Sequence, residues 1–208
     1  MTGSSTPGTT HPEPDPDRAR AGPPVAHKNP DATQRLLAAA RTEFSREGRA
    51  GARTDRIARR AGVNKQLLHY YFATKVGLYK AVLDQAGAEM AAAIAALPLA
   101  GLTAVERLRR LVRAQFDFLA RQEELTRLLL KAEGGEWLDA AVAPLASLLT
   151  EGQATGFFRD DIDPLHHARQ AMLLHLGYFA LPAVTTHWGD PQLWRDRAAD
   201  LVVRGCTW

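Results

Sequence analysis

The sequence predicts an all-α protein in which a three-helix N-terminal unit, built around a helix-turn-helix, precedes a larger C-terminal helical bundle. Aromatic residues make up only 7% of the chain and alanine is abundant, a composition that favours helices over sheets. Apolar side chains recur at the three- and four-residue spacing of amphipathic helices, and no segment is convincingly strand-like. With 208 residues, 46% of them hydrophobic, the chain can bury a sizeable core.

The first thirty residues are set apart by composition. They contain seven of the twelve prolines and lack aromatic residues, leucine and isoleucine. Such a segment buries too little apolar surface to offset its ordering entropy. We therefore expect residues 1–30 to form a disordered tail.

Capping residues and glycines divide residues 31–96 into four predicted helices. The expected boundaries are 31 to about 48 with Asp31 as cap, 55–61 with Thr54 as cap, 65–72 with Asn64 as cap, and 75 to about 96 with Thr74 as cap. Gly62 suits a left-handed turn between the second and third helices. The predicted core of this unit is Ile57, Ala61, Val63, Leu68 and Phe72.

Five further helices are predicted for the rest of the chain. Their expected ranges are 103–121, 125–133, 137–155, 165–187 and 191–204. Proline and glycine breaks separate them, and the connections are mostly short. This arrangement is typical of a helical bundle.

Charge is distributed unevenly along the chain. Residues 1–30 are neutral, residues 31–80 carry eleven Lys/Arg against four Asp/Glu, and residues 81–208 carry twelve against sixteen. A block of net charge +7 is thus joined to a remainder of net charge −4. This polarity indicates a polyanion-binding module beside a module with another role.

The helix-turn-helix leaves one face of its second helix, residues 65–72, unpartnered. The dimensions of such a helix suit the DNA major groove. Lysine donates to guanine, glutamine pairs with adenine, and a leucine can contact a thymine methyl group. Tyrosine and threonine hydroxyls and helix N-termini can bind phosphates.

The stretch from Arg53 to Val82 resembles the DNA-binding region of the TetR family of transcriptional regulators. The shared residues are Thr54, Ile57, Ala58, Ala61, Gly62, Val63, Leu68, Tyr71, Phe72, Lys75, Leu78, Ala81 and Val82. The resemblance covers roughly residues 31–83. It implies a DNA-binding domain over residues 31–77 and an effector-binding and dimerisation domain over residues 78–208.

The resemblance also assigns roles to individual positions. Lys65, Gln66 and Leu67 would face bases, and Arg53 would reach an adjacent groove. The expected backbone contacts are Thr54, His69, Tyr70, Tyr71 and Lys75. His69 departs from the family's usual tyrosine, and Leu67 is bulkier than the usual small residue. Packing remains an alternative role for Tyr71.

For the C-terminal domain, the resemblance implies a homodimer and a small-molecule pocket. Because the sequence lacks metal-site spacing, we expect no cofactor and no metal. The predicted dimer surface consists of Leu173, Leu176, Phe179, Trp188, Trp194, Leu201 and Val202. The predicted pocket consists of Gln115, Phe116, Leu119, Trp137, Met172, His175 and Tyr178. A satisfied core histidine is the alternative for His175. The expected function is that of a repressor released from a palindromic operator by an apolar or aromatic effector.

Two other function classes are disfavoured by the sequence. The chain lacks the G-x-S-x-G, P-loop and H-E-x-x-H patterns, and adjacent His166 and His167 point about 100° apart on a helix, which argues against an enzyme. A helix-turn-helix that docks on protein instead of DNA is disfavoured by the basic block. One cysteine, no signal core and no apolar run of about 20 residues predict a cytoplasmic protein without membrane contact.

Overall fold

The computed structural model describes residues 30–208, which form ten α-helices and no strand. In chain order, the helices are α1 (Pro30–Gly51), α2 (Thr54–Ala61), α3 (Lys65–Phe72), α4 (Lys75–Ala95), α5 (Ala104–Arg121), α6 (Glu123–Leu130), α7 (Glu136–Ala154), α8 (Pro164–Ala180), α9 (Pro182–Thr185) and α10 (Pro191–Cys206). The all-α prediction is confirmed. The predicted tail lies outside the described residues, except for Pro30, which begins α1.

Helix α1 contains the break that its glycines predict. Gly48 has φ 68° and ψ 177°, so the regular helix stops there and one further turn follows. The prediction of Asp31 as a cap is wrong, because Asp31 lies in the first helical turn and pairs with Arg35 one turn later. Proline is favoured at a first helical position, which explains a start at Pro30.

The helix-turn-helix forms as its sequence predicts. Gly62 adopts the left-handed conformation (φ 65°, ψ 35°) between α2 and α3, which glycine tolerates without strain. Ile57, Ala61 and Leu68 are buried, and Val63 and Phe72 pack partly buried against them. This small core fixes α3 against α2.

Helix α4 joins the helix-turn-helix to the rest of the chain. It packs on α1 at one end and on α5 and α7 along its length. Gly87 makes the close approach to α7 possible, because a Cβ built there would lie 2.5 Å from the carbonyl oxygen of Trp137. The buried side chains form one continuous cluster from Leu36 in α1 to Cys206 in α10.

The helix predicted over residues 165–187 is wrong in its extent. The chain forms α8, a break at Leu181, the single turn α9 and a 3-10 turn over Thr186–Trp188. Pro182 lacks an N–H and disfavours the helical conformation in the residue before it, which accounts for the break. Within residues 30–208, no helix is both long and apolar enough to cross a membrane.

Candidate nucleic-acid interface

Helix α3 is held at its start by a side-chain cap. The Asn64 side chain accepts a hydrogen bond from the Leu67 backbone N–H at 2.7 Å, and Thr74 caps α4 in the same way through Gly77 at 3.0 Å. Both predicted caps are confirmed. They satisfy backbone donors that helix starts otherwise leave unpaired.

The two faces of α3 differ in burial. Leu68 is fully buried beneath the helix, whereas Lys65, Gln66 and His69 are exposed. Tyr70 is 53% exposed, which is unusual for so large an aromatic side chain. Leu67 and Tyr71 are half-buried, so each has only part of its surface available for a partner.

Both lysines that are predicted to contact DNA already have partners within the chain. The ammonium group of Lys65 lies 2.8 Å from a carboxylate oxygen of Asp55 on α2, and it holds the pKa of Asp55 below its usual range. Lys75 donates to the carbonyl oxygens of Ala50 at 3.0 Å and Ala52 at 3.2 Å. Lys75 therefore ties the start of α4 to the end of α1.

His69 takes part in the end of α3. Its Nδ1 lies 3.2 Å from the carbonyl oxygen of Ala73, the residue that ends the helix with a positive φ of 56°. The neighbouring rings of Tyr70 and Tyr71 meet edge-on at 5.4 Å. Thr54 is half-buried, and Arg53, Arg59 and Arg60 are exposed. The exposed part of this surface is basic and aromatic, a combination suited to phosphates.

The residue that caps α2 lies on another helix and is not among the predicted caps. Thr54 was predicted as the cap, but the helix begins at Thr54 itself and has no cap from its own first residues. Instead, Glu43 of α1, only 3% exposed, accepts a hydrogen bond from the Arg53 backbone N–H at 3.2 Å and lies 3.5 Å from Arg56 Nε. The sequence does contain a hint of this role, because Glu43 falls at a position of α1 that faces inward.

Replacing Glu43 with leucine is expected to lower the free energy of unfolding by about 1–3 kcal/mol, because the partly buried Arg53 N–H loses its acceptor. The measurement is chemical denaturation followed by circular dichroism. Glu47→Ala is the matched control, since Glu47 lies on the same helix and also approaches Arg56 at 3.5 Å, but is exposed. The control should change stability by less than about 0.5 kcal/mol. Equal effects would contradict the capping role.

The side chains predicted for the ligand pocket do face inward. Gln115, Phe116, Leu119, Trp137, Met172 and His175 are buried, and Tyr178 is half-buried. His175 Nε2 hydrogen-bonds the Val112 carbonyl oxygen at 3.0 Å, and burial lowers the pKa of His175 to about 4. The imidazole is therefore neutral at pH 7.

The predicted dimer surface is only partly exposed in the single chain. Leu173, Trp188 and Leu201 are exposed, and Phe179 and Trp194 are half-buried. The prediction of exposed side chains is wrong for Leu176 and Val202, which are buried. Helix α8 packs on α7 and α10, and α10 packs on α5, so those faces are covered within the chain.

The segment between α6 and α7 touches the end of α1. Lys131 donates to the carbonyl oxygens of Ser45 and Arg46, each at 3.0 Å, and Glu133 pairs with Arg49. Tyr79 of α4 donates to the Lys131 carbonyl oxygen at 3.2 Å. A cavity of about 460 Å³ lies beside these contacts. Movements of this segment are thereby linked to α1.

Residues 30–208 offer little support for a metal site or for a cysteine nucleophile. No group of three His, Cys, Asp or Glu side chains is placed to hold a metal ion in this range. Cys206 is buried, and burial raises its pKa to about 11, which makes the thiol a poor nucleophile.

Comparison with known proteins identifies the family. The family described as "Bacterial regulatory proteins, tetR family" matches residues 36–82. The HTH-type transcriptional repressor NicS of Pseudomonas putida is 33% identical over 160 residues, which cover 69% of this chain and 73% of NicS. The chain belongs to the TetR family.

Other relatives of this TetR-family protein are regulators of both signs. The HTH-type transcriptional repressor SCO4008 of Streptomyces coelicolor is 34% identical over 149 residues, covering 66% of this chain and 73% of SCO4008. The HTH-type transcriptional activator FasR of Mycolicibacterium smegmatis is 32% identical over 138 residues, which cover 64% of this chain and 62% of FasR.

A solved structure has the same TetR fold. A tetR family transcription regulator from Shewanella sp. PV-4 superposes with a TM-score of 0.72 at 19% identity, covering 85% of this chain and 98% of that one. At that identity the likeness concerns the fold alone. The match extends well beyond residues 36–82, so the C-terminal helices also follow the TetR arrangement.

Proposed function

We propose that this TetR-family regulator binds a palindromic DNA operator as a homodimer and represses transcription until a small-molecule effector releases it. The observation that carries the proposal is the exposed, polar face of the capped helix α3. Residues 31–77 would form the DNA-binding domain and residues 78–208 the effector-binding and dimerisation domain. Repression is favoured because NicS and SCO4008 are both named repressors.

Helix α3 supplies the base contacts in this proposal. Gln66 is exposed and suits adenine, and Lys65 suits guanine once it leaves Asp55. Half-buried Leu67 presents an apolar edge to a thymine methyl group. Phosphates would be held by the surrounding residues: Arg53, Thr54, His69, Tyr70, Tyr71 and Lys75.

Dimerisation would place two copies of α3 on one operator. The exposed side chains of Leu173 on α8 and Leu201 on α10 support an interface along these helices. Two linked recognition helices gain avidity when their centres lie about 34 Å, or a multiple of that distance, apart on the DNA.

Effector release would follow from linkage between the two domains. A ligand that fits only the conformation with displaced recognition helices lowers operator affinity by the ratio of its affinities for the two states. The Lys131 and Glu133 contacts to the end of α1 offer a physical connection for that coupling.

DNase footprinting on the DNA that flanks the encoding gene tests the proposal. We expect a protected, symmetric site, and an affinity that falls steeply with salt because phosphate contacts release counterions. A reporter gene behind the same site gives the sign of regulation. A lack of any protected site, or a binding constant insensitive to salt, would contradict the proposal and favour docking on protein.

Breaking the Asp55–Lys65 pair is expected to raise operator affinity, whereas most substitutions in a DNA-binding surface lower it. Asp55→Asn should tighten operator binding by about two- to tenfold and steepen the salt dependence, because the freed Lys65 adds roughly one phosphate or base contact. Fluorescence anisotropy across a salt series measures both. Asp84→Asn is the control, since Asp84 is an exposed acid on α4 that also pairs with a lysine. An equal gain in the control would point to bulk charge instead of the pair.

A further inference from the structure

The core of the C-terminal helices contains polar atoms that the chain does not satisfy. Both the oxygen and the nitrogen of the Gln115 amide are buried without a hydrogen-bond partner, as are Nδ1 of His175 and Nε1 of Trp194. Gln115 and His175 are 0% exposed. Burying such groups unpaired costs free energy, so each calls for an explanation.

These atoms lie around one aromatic side chain. His175 Nε2 binds the Val112 carbonyl at 3.0 Å, which places the imidazole over the face of α5 that also carries Gln115 and Phe116. The centroids of the Phe116 and His175 rings are 5.6 Å apart. Tyr178 lies 5.2 Å from Phe116 and stacks on Trp194 at 5.4 Å. The unpaired atoms thus border a single cluster of rings.

A surface cavity reaches the same cluster from outside. It has a volume of about 400 Å³ and is lined by Tyr178 and Phe179 together with the α9 segment. The Tyr178 and Phe179 rings each contact Phe116, at 5.2 and 5.1 Å. The cavity is thus connected to the His175 ring through Phe116, which contacts His175 and both lining rings.

The unpaired atoms define the chemistry of an occupant. Because His175 Nε2 faces the Val112 carbonyl, it carries the proton, and Nδ1 of the neutral ring can only accept a hydrogen bond. The Gln115 amide can both donate and accept. Neither group carries a charge, and the charged residues of this stretch of α5, Arg113 and Asp117, are paired with Asp196 and Arg195, so a buried carboxylate or ammonium would stay unneutralised at high cost. The surrounding rings favour a flat, apolar body.

We propose that the effector is an uncharged, planar aromatic molecule with a hydroxyl group that donates to His175 Nδ1 and accepts a hydrogen bond from the Gln115 amide nitrogen. Binding at this site stands by itself, and the word effector rests on the function proposed above. The polar contacts provide specificity, because a site built to bond a hydroxyl rejects the analogue that lacks the donor.

The test compares three naphthalenes with the full chain in the absence of DNA. Calorimetry at pH 7 should show that 2-naphthol, which has the donor, binds at least about tenfold more tightly than 2-methoxynaphthalene or the anionic 2-naphthoate. His175→Phe and Gln115→Leu should each reduce that preference to less than about twofold. Gln115→Leu should keep or raise the melting temperature because it removes an unpaired buried amide, whereas His175→Phe also loses the bond to the Val112 carbonyl and should lower it modestly.

The control variant is Thr126→Val, which removes a buried hydroxyl that is already bonded to the Leu119 carbonyl oxygen at 2.7 Å. It should lose stability but keep the tenfold preference. Three outcomes overturn the proposal: no binding of 2-naphthol, equal binding of the three compounds, or a preference that survives in both variants.

Failure here is separable from failure of the proposed function. Operator footprinting with wild-type protein is run beside the calorimetry. Operator binding without a preference for 2-naphthol rejects only the ligand assignment, whereas the preference without operator binding rejects only the DNA-binding proposal. A preference combined with unchanged operator affinity in saturating 2-naphthol rejects the role of the ligand as effector.

Discussion

Replacing Gln66 with alanine is expected to weaken operator binding by about ten- to a hundredfold while leaving thermal stability unchanged. The loss corresponds to about 1–3 kcal/mol, the usual contribution of one bidentate side-chain contact to a base. Stability should not change because the Gln66 side chain is exposed on α3 and supports no part of the core. Fluorescence anisotropy with the footprinted operator measures the effect.

Sequence specificity distinguishes a base contact by Gln66 from a backbone contact more clearly than overall affinity does. If it contacts a base, the variant should lose discrimination at one base pair of each half-site, while its affinity for unrelated DNA stays within about twofold. Gln192→Ala, which truncates an exposed glutamine on α10, serves as the matched control and should leave both quantities unchanged. A uniform loss on all DNA sequences would instead assign Gln66 to the phosphate backbone.

Replacing Gly87 with alanine is expected to destabilise the protein by about 1–3 kcal/mol, the range for overpacking a close contact. The added Cβ would lie 2.5 Å from the Trp137 carbonyl oxygen and 3.5 Å from the Ala140 Cβ. The first of these atoms is backbone, so α4 and α7 must separate. For a chain of this size, each kcal/mol lowers the melting temperature by about 2–4 °C.

A neighbouring substitution separates this steric effect from changes in helix propensity. Ala88→Gly removes the methyl group of the next residue of α4, where the side chain is exposed, so its expected cost of about 0.5–1 kcal/mol reports helix propensity alone. Differential scanning calorimetry compares the two variants. A stabilised Gly87→Ala would mean that helix propensity outweighs packing, and that α4 and α7 do not approach as closely as described.

The helix-turn-helix could be predicted from sequence because its determinants are local. Asn64 and Thr74 cap helices three residues away, and Gly62 supplies the left-handed turn, so each signal lies within one turn of its effect. The Glu43 cap could not be predicted in this way. It acts on Arg53 ten residues later, across a break in α1 that sets the distance between them.

For the C-terminal helices, it was harder to predict which apolar side chains are buried, again because the answer depends on distant parts of the chain. Leu173 and Leu176 belong to the same apolar helix, yet one is 57% exposed and the other 8%. Helical spacing shows that α8 has an apolar stripe, but it does not show how much of the stripe α7 and α10 cover. The burial of Gln115 and His175 was predicted, whereas their unpaired atoms emerged only once the neighbouring helices were in place.

Helix α4 runs without interruption from the end of α3 into the C-terminal helices. Its 21 residues correspond to a rod about 31 Å long at 1.5 Å per residue. Its middle packs on α7 through Gly87, and its first turn begins at the Thr74 cap, directly after α3. A rotation of about 5° around the far end of such a rod sweeps the near end through roughly 3 Å. That distance is about the length of a hydrogen bond, so under the proposed function a small shift in the C-terminal helices would move α3 out of register with the base edges.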